Sequence, residues 1–380
     1  YLSALIYALA LNYLRANKLS HRYGDDTSTT SLEDVLGRLH ETAVYFSSSF
    51  EYALEKPGKK EISFIEKVLE RLLKDDLSEL GDCLTILGDA YQIWSESKRR
   101  LVLKSIQRSN KQLSDQELVS FTRIYTPQFV VEYLTANTIV KKLPAHLRTS
   151  TGLERWCLAN EQAVDTLSSQ LLSVLDPSCG SGNFLNCALA TLFKAGCKQG
   201  VEPESLLRDL LKSRIAGADV DPVALSICAL SFLLIANRIG YGIDNEIRAE
   251  SLQYVDLEAT SMLGSLAGSF EPGSPLSRKY DVVLANPPYI GRKLLSRDLK
   301  QLLKQEFPDA HSDLSSAFLR RSLAFLTDNG SFGAITQASI LTLPTYEKLR
   351  QKLIGDHAIE CIVDAGPRLF PGRSGEKINS

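Results

Sequence analysis

An α/β fold, an open parallel sheet behind an α-helical start, is the class this sequence predicts. Three observations predict it. From about residue 120 onward, short apolar runs that end in Gly, Pro, Asp or Asn turns alternate with longer runs at helical spacing. Such alternation packs as parallel strands with helices on both faces. Before that point only helical spacing recurs, with charges between the apolar groups, as in Ile62-Ser63-Phe64-Ile65-Glu66-Lys67-Val68-Leu69-Glu70-Arg71-Leu72-Leu73. Finally, the turns that close the strands carry ligand-type residues, at the sheet edge where open α/β folds bind ligands. The expected division is a helical N-terminal domain over residues 1–117 and an α/β domain over residues 118–380.

The elements follow in order. Ser31-Leu32-Glu33-Asp34 has the form of a helix start, with a capping residue and early acids. Lys98-Arg99-Arg100 reads as a solvated helix face. In the second part, Leu171 to Leu175 is a buried strand and Asn183 to Ala195 a helix. Arg214 to Ala218 is a second strand, and Pro222 to Ile239 a long apolar helix. Ile247-Arg248-Ala249 is a weaker third strand, and Lys279 to Ala285 the fourth. Leu314 to Leu326 is a helix, Asp328-Asn329-Gly330 a turn, and Ser331 to Thr336 a fifth strand.

Composition bounds the chemistry. The 380 residues leave room for two domains, and a net charge of −2 gives no global basic signature for nucleic acid. Any DNA contact must come from a local basic face or from parts outside this sequence. The seven cysteines form no C-x-x-C pair and the five histidines no ligand-spaced cluster. This points to a reducing, cytoplasmic setting and no metal site. The apolar start, Tyr1 to Leu14, is broken by Asn12 and is too short to span a bilayer, so it reads as a buried helix with no membrane role. A first residue other than Met, and an end just as a strand begins, suggest a fragment of a longer protein.

The fourth strand runs into Asn286-Pro287-Pro288-Tyr289. An exocyclic amine on a nucleobase is a poor nucleophile, because its lone pair is delocalised into the ring. Two acceptors aimed at its hydrogens pull it toward a tetrahedral, reactive shape. The Asn286 side-chain oxygen is one candidate acceptor and the Pro287 carbonyl the other. Consecutive prolines restrict that carbonyl. Tyr289 offers a flat ring for an extruded base. Upstream, Asp176-Pro177-Ser178-Cys179-Gly180-Ser181-Gly182-Asn183-Phe184 closes the first strand and opens a helix, whose N–H groups can hold a carboxylate. Asp219 closes the second strand, where an acid suits ribose hydroxyls, and Asp221 before Pro222 suits a helix cap. Glu250 and Ser251 close the third, within reach of an adenine amine. Tyr125-Thr126-Pro127 precedes the first strand, and would otherwise serve as a plain helix entry with Thr126 as cap.

Together these motifs resemble the gamma-class N6-adenine DNA methyltransferases of restriction–modification or phage-defence systems. The order is the same: Tyr-Thr-Pro, then Asp-Pro-Ser-Cys-Gly-Ser-Gly, then Asn-Pro-Pro-Tyr, across residues 118–380. The resemblance implies a Rossmann-like, S-adenosylmethionine-dependent methyltransferase domain. It implies that Tyr125, Thr126, Pro127, Asp176, Ser178, Gly180, Gly182, Asn183 and Phe184 line the cofactor, with Asp219 on its ribose and Glu250 and Ser251 beside its adenine. It places Asn286, Pro287, Pro288 and Tyr289 at the target adenine, and Phe370 of Leu369-Phe370-Pro371 against the flipped base. Asp313 to Phe318 resembles the family's fifth motif but has Ser315 where an aromatic is usual.

The implied reaction is methyl transfer to adenine N6 in double-stranded DNA, with no metal required. The base must be extruded, because N6 is paired inside the helix. Similar proteins include fused type II enzymes, type I modification subunits and BREX-type methylases, so restriction or specificity subunits are expected partners. In the family the target-recognition domain follows the catalytic one, and this sequence is expected to lack it. Two other readings share the motifs: a methyltransferase for a non-DNA amine or amide such as protein glutamine, and a non-catalytic DNA- or SAM-binding subunit of a defence complex.

Overall fold

In the computed structural model the described residues are 126–158, 171–239, 252–255, 264–267 and 270–366, with Arg99, Val102, Lys104, Glu117 and Val119. The expected helical domain over 1–117 therefore lies outside them, isolated positions aside, as do Tyr125, Glu250, Ser251 and Phe370. In chain order the elements are α1 (Gln128–Thr138), α2 (Ala145–Thr151), β1 (Val174–Asp176), α3 (Asn183–Lys198), α4 (Pro203–Asp209), β2 (Ile215–Asp219), α5 (Pro222–Ile239), β3 (Leu252–Tyr254), β4 (Tyr280–Ala285), α6 (Arg297–Glu306), α7 (Leu314–Ala324), β5 (Leu326–Ala334), α8 (Ser339–Thr342) and α9 (Glu347–Asp356).

Five strands form one parallel sheet in the order β3-β2-β1-β4-β5. The chain builds outward from β1 to β3, then returns to lay β4 on the other side of β1. That reversal opens a crevice at the carboxyl ends of β1 and β4, where doubly wound sheets bind ligands. The central strands β1, β2 and β4 are mostly apolar because both faces are covered. Val174, Val282 and Leu284 join Leu185, Leu189 and Leu192 of α3 in one core cluster. Leu175, Ala216, Ala218 and Val283 join Tyr280, Phe325 and Leu326 in another. No described helix is long and apolar enough to cross a membrane.

Two elements differ from the sequence expectation. The third strand is Leu252–Tyr254, with Gly217 opposite Leu252 and Asp219 opposite Tyr254. Glu250 and Ser251 thus precede it instead of closing it. Leu252 is buried in the main core, and the expected strand Ile247-Arg248-Ala249 lies outside the described residues. The fifth strand begins at Leu326, and Asp328-Asn329-Gly330 lies inside it. Tyr280 pairs with Leu326 but Val282 with Ser331, so the polar triplet bulges out of the ladder. Its turn chemistry is accommodated as a bulge.

The turn from β1 into α3 is sterically specified. Gly180 and Gly182 have φ of 53° and 90°. Gly182 is also crowded: a Cβ there would run into the Cys228 sulfur and lie 3.1 Å from the Cys228 Cβ on α5. Gly182→Ala should therefore destabilise twice, by ~1–2 kcal/mol for the left-handed backbone and ~1–3 kcal/mol for overpacking. Adding Cys228→Ala should restore the packing part only. Chemical denaturation of the single and double variants checks this; equal losses in both would rule out the steric part.

Candidate active site

The site is built from three strand ends. After β1, the chain turns back through Cys179, whose N–H donates to Ala218 O at 3.0 Å, and Gly182 N–H donates to Cys179 O at 2.8 Å. The turn opens directly into α3, a helix long enough to present unpaired N–H groups at its start. The Asp176 carboxylate accepts from Ser178 N–H at 3.0 Å. Burial pushes the Asp176 carboxyl up to about 8, opposed by that N–H.

At the end of β2, Asp219 joins two loops. One carboxylate oxygen accepts from Gly180 N–H at 2.8 Å, and the other from Asp221 N–H at 2.8 Å. Burial first, then the charge of Asp221, pushes the Asp219 carboxyl up to about 6, opposed by its backbone donors. Asp221 caps α5, its Oδ1 accepting from Val223 N–H at 3.0 Å. Two neighbouring acids thus divide the work: one caps a helix, and one faces the glycine turn.

At the end of β4, Asn286 is held from both sides. Its Nδ2 donates to Thr126 Oγ1 at 2.9 Å, and its Oδ1 accepts from Tyr289 OH at 2.9 Å. Thr126 and Tyr289 are both buried, and the Tyr289 ring joins the main core cluster. The helix-entry alternative for Thr126 is not what the structure has. Pro127 takes the cap position of α1, with no side-chain cap bond, and the Thr126 hydroxyl is spent on Asn286. Thr126 and Asn286 are 160 residues apart, so no local signal could have paired them. The Tyr289 hydroxyl likewise adds a role that a flat ring alone does not supply.

Asp176, Ser178, Gly180, Gly182, Asn183 and Phe184 thus lie in one turn and helix start beside Asp219, while Asn286 to Tyr289 close the adjacent strand with Thr126 against them. Ser315, where an aromatic is usual in the resembled family, is wholly buried and donates to Asp313 Oδ1 at 2.8 Å. Asp313 also accepts from Tyr346 OH and caps α7. This network is structural. Among the described residues no three His, Cys, Asp or Glu side chains gather as a metal site.

An open parallel sheet with a glycine turn after β1, an acid after β2 and Asn-Pro-Pro-Tyr after β4 is a Rossmann-like α/β fold. Residues 213–370 match the model of the Eco57I restriction-modification methylase family. The chain is 21% identical over 418 residues to the adenine-specific methyltransferase BrxX of Escherichia coli O9:H4 (strain HS), covering 83% of this chain and 34% of that protein. It is 21% identical over 405 residues to the adenine-specific methyltransferase PglX of Lacticaseibacillus casei (strain Zhang), covering 83% and 33%. To the type II methyltransferase M.BanIII of Aneurinibacillus aneurinilyticus it is 30% identical over 201 residues, covering 52% and 30%. The chain thus spans about a third of the length of these curated relatives.

Asp176 gives a sharp test. An unfolded Asp titrates near ~3.9, whereas the folded protein keeps this proton up to about 8. The stability it contributes is complete below ~4 and is lost as pH rises toward about 8. Asp176→Asn should therefore stabilise the fold near neutrality, with a gain growing by up to ~1.4 kcal/mol per pH unit above ~4. Denaturant titrations near pH 4 and pH 7 check this; a pH-independent difference would contradict it.

Proposed function

We propose that this chain transfers a methyl group from S-adenosylmethionine to the N6 amine of a flipped-out adenine in double-stranded DNA, within a cytoplasmic restriction–modification or phage-defence system. The observation that carries the reading is the Asn286 amide, fixed between the Thr126 and Tyr289 hydroxyls at the end of β4, beside the glycine turn of β1. The similarity to adenine-specific methyltransferases supports the same reading. So does the match to the Eco57I methylase family model.

The donor set suits S-adenosylmethionine. The start of α3 offers backbone N–H groups for a carboxylate, and Asp219 at the end of β2 offers acceptors for hydroxyls. Thr126 and Pro127 flank the catalytic turn, and Tyr125 precedes them in the chain. When bound, the cofactor supplies a methyl group already activated on a sulfonium. The chain's own residues do the rest. Asn286 Oδ1 and the Pro287 carbonyl accept from the amine hydrogens and meet the positive charge that develops on nitrogen. Rigid prolines keep that carbonyl from drifting. Thr126 and Tyr289 set the Asn286 rotamer, so little reorganisation remains at the moment of transfer. The Tyr289 ring forms a stacking floor for the base. No strong base is called for, since the amine loses its proton after transfer.

Asn286→Ala should lower the methylation rate by about 10²–10³, as for loss of one preorganised partner, with cofactor affinity nearly unchanged. Tyr289→Phe should lose about tenfold, because Asn286 Oδ1 loses its donor at 2.9 Å. Tritiated methyl incorporation into duplex DNA by the intact protein, beside calorimetric cofactor binding, measures both. Normal incorporation by Asn286→Ala would overturn the mechanism. Transfer to a glutamine peptide in place of DNA would overturn the substrate.

Asp219 accepts from hydroxyls most strongly when ionised. Cofactor affinity should therefore rise as pH climbs through about 6, the pH near which burial holds this carboxyl. Each unit below that should weaken binding by up to about tenfold. Asp176, held near about 8, stays protonated over this window and contributes no slope. Calorimetry between about pH 5 and pH 7 measures the slope, and Asp219→Asn should flatten it; a slope retained in that variant would remove Asp219 from the cofactor site.

A further inference from the structure

The segment that follows the catalytic turn is strongly basic in a chain of net charge −2. From Gly291 to Lys304 it carries Arg292, Lys293, Arg297, Lys300 and Lys304 against a single acid, Asp298. Arg292 and Lys293 are exposed, on a single helical turn three residues past Tyr289. At most ~11 Å of chain separates Tyr289 from Arg292. Arg297, Lys300 and Lys304 stand at i, i+3 and i+7 of α6, so they line one face of the helix. The opposite face is fixed to the core. Ile290, Leu295, Leu299 and Leu303 are buried together with Phe307 and Leu314. The entry is pinned as well. Gly291 bridges to Asp313, Leu314 N–H donates to Ile290 O at 3.2 Å, and Ser296 Oγ caps α6 by accepting from Leu299 N–H at 3.1 Å.

None of the five cations has an ion-pair or hydrogen-bond partner among the described residues. Other cations in the domain are matched: Arg214 with Asp209, and Arg320 with Asp309, each at 3.1 Å. A row of unmatched cations on a rigid support, starting at the catalytic turn, is suited to a polyanion with regular charge spacing. Arg297 to Lys304 spans ~10 Å of helix, the axial length of about three nucleotides of one strand.

We infer that Arg292, Lys293, Arg297, Lys300 and Lys304 form a phosphate-binding surface for the DNA strand beside the extruded base. The inference rests on the proposed DNA substrate and deepens it. These residues hold the backbone next to the target while the catalytic turn engages the base. They read charge, not sequence.

The test compares the intact protein with Arg292→Gln/Lys293→Gln and with Arg297→Gln/Lys300→Gln/Lys304→Gln. Lys348→Gln/Lys352→Gln, at exposed positions of α9, serves as a control with the same charge loss as the double variant. DNA affinity and the KM for DNA are measured across salt concentrations, with cofactor affinity alongside. For every phosphate that is no longer neutralised, the slope of log affinity against log salt should fall by about 0.9. The double variant should thus drop by about two units of slope and bind about tenfold more weakly, equally on all sequences. The control should keep the parent slope. An unchanged slope in both basic variants, or an equal change in the control, overturns the surface while leaving methyl transfer standing. A parent that binds DNA through this surface yet transfers no methyl group upholds the surface and overturns the proposed reaction. No DNA binding by the parent, or preference for single-stranded RNA of equal length, overturns the surface.

Discussion

The Asp219 carboxylate is the interaction on which the arrangement of the site depends. It accepts from Gly180 in the turn after β1 and from Asp221 in the loop after β2. One side chain thereby sets the distance between two strand ends that the sheet alone fixes only at their bases. Gly180 and Gly182 are the counterpart on the other loop: both have positive φ, and at Gly182 only glycine also admits the close approach of Cys228. Once this junction is made, α3 starts where its N–H groups face the crevice, and α5 starts under the cap of Asp221.

The junction carries an electrostatic cost. Asp176 and Asp219 are both pushed above the ordinary carboxylate range by burial, to about 8 and about 6. A domain selected for stability alone would place neutral groups there. Retaining acids at the carboxyl edge of a sheet, against desolvation, is the pattern of a site that needs acceptors. The neighbouring Asn286 solves the same problem differently. It is neutral, its amide is held by Thr126 and Tyr289 with one N–H and one oxygen lone pair to spare, and so it sits half-buried without a charge.

The α/β domain thus divides its surface by chemistry. Acceptors line the crevice between β1, β2 and β4. Unmatched cations follow immediately along the chain from Arg292 to Lys304, held in place by the apolar cluster around Leu299 and Leu303. A near-neutral protein can engage a polyanion in this way, by concentrating positive charge on one rigid segment while the rest of its surface stays mixed.

Much of this was written in the sequence. The parallel α/β class, β1, β2 and β4 and the helices after them follow from apolar periodicity, and the two main motifs fall on their strand ends because Gly, Pro, Asp and Asn turns terminate strands for local steric reasons. The capping role of Asp221 was legible for the same reason. The strand at Leu252–Tyr254 was not: Leu252 packs in the core, and its register is fixed by pairing with β2. Nor was the bulge at Asp328-Asn329-Gly330, which local turn chemistry cannot distinguish from a true turn without the partner strand. The contact of Thr126 with Asn286 joins residues 160 positions apart, and the reversal of strand order at β1 and β4 brings their segments together. Local sequence sets which residues can do chemistry, whereas the non-local pairing of strands decides which of them meet.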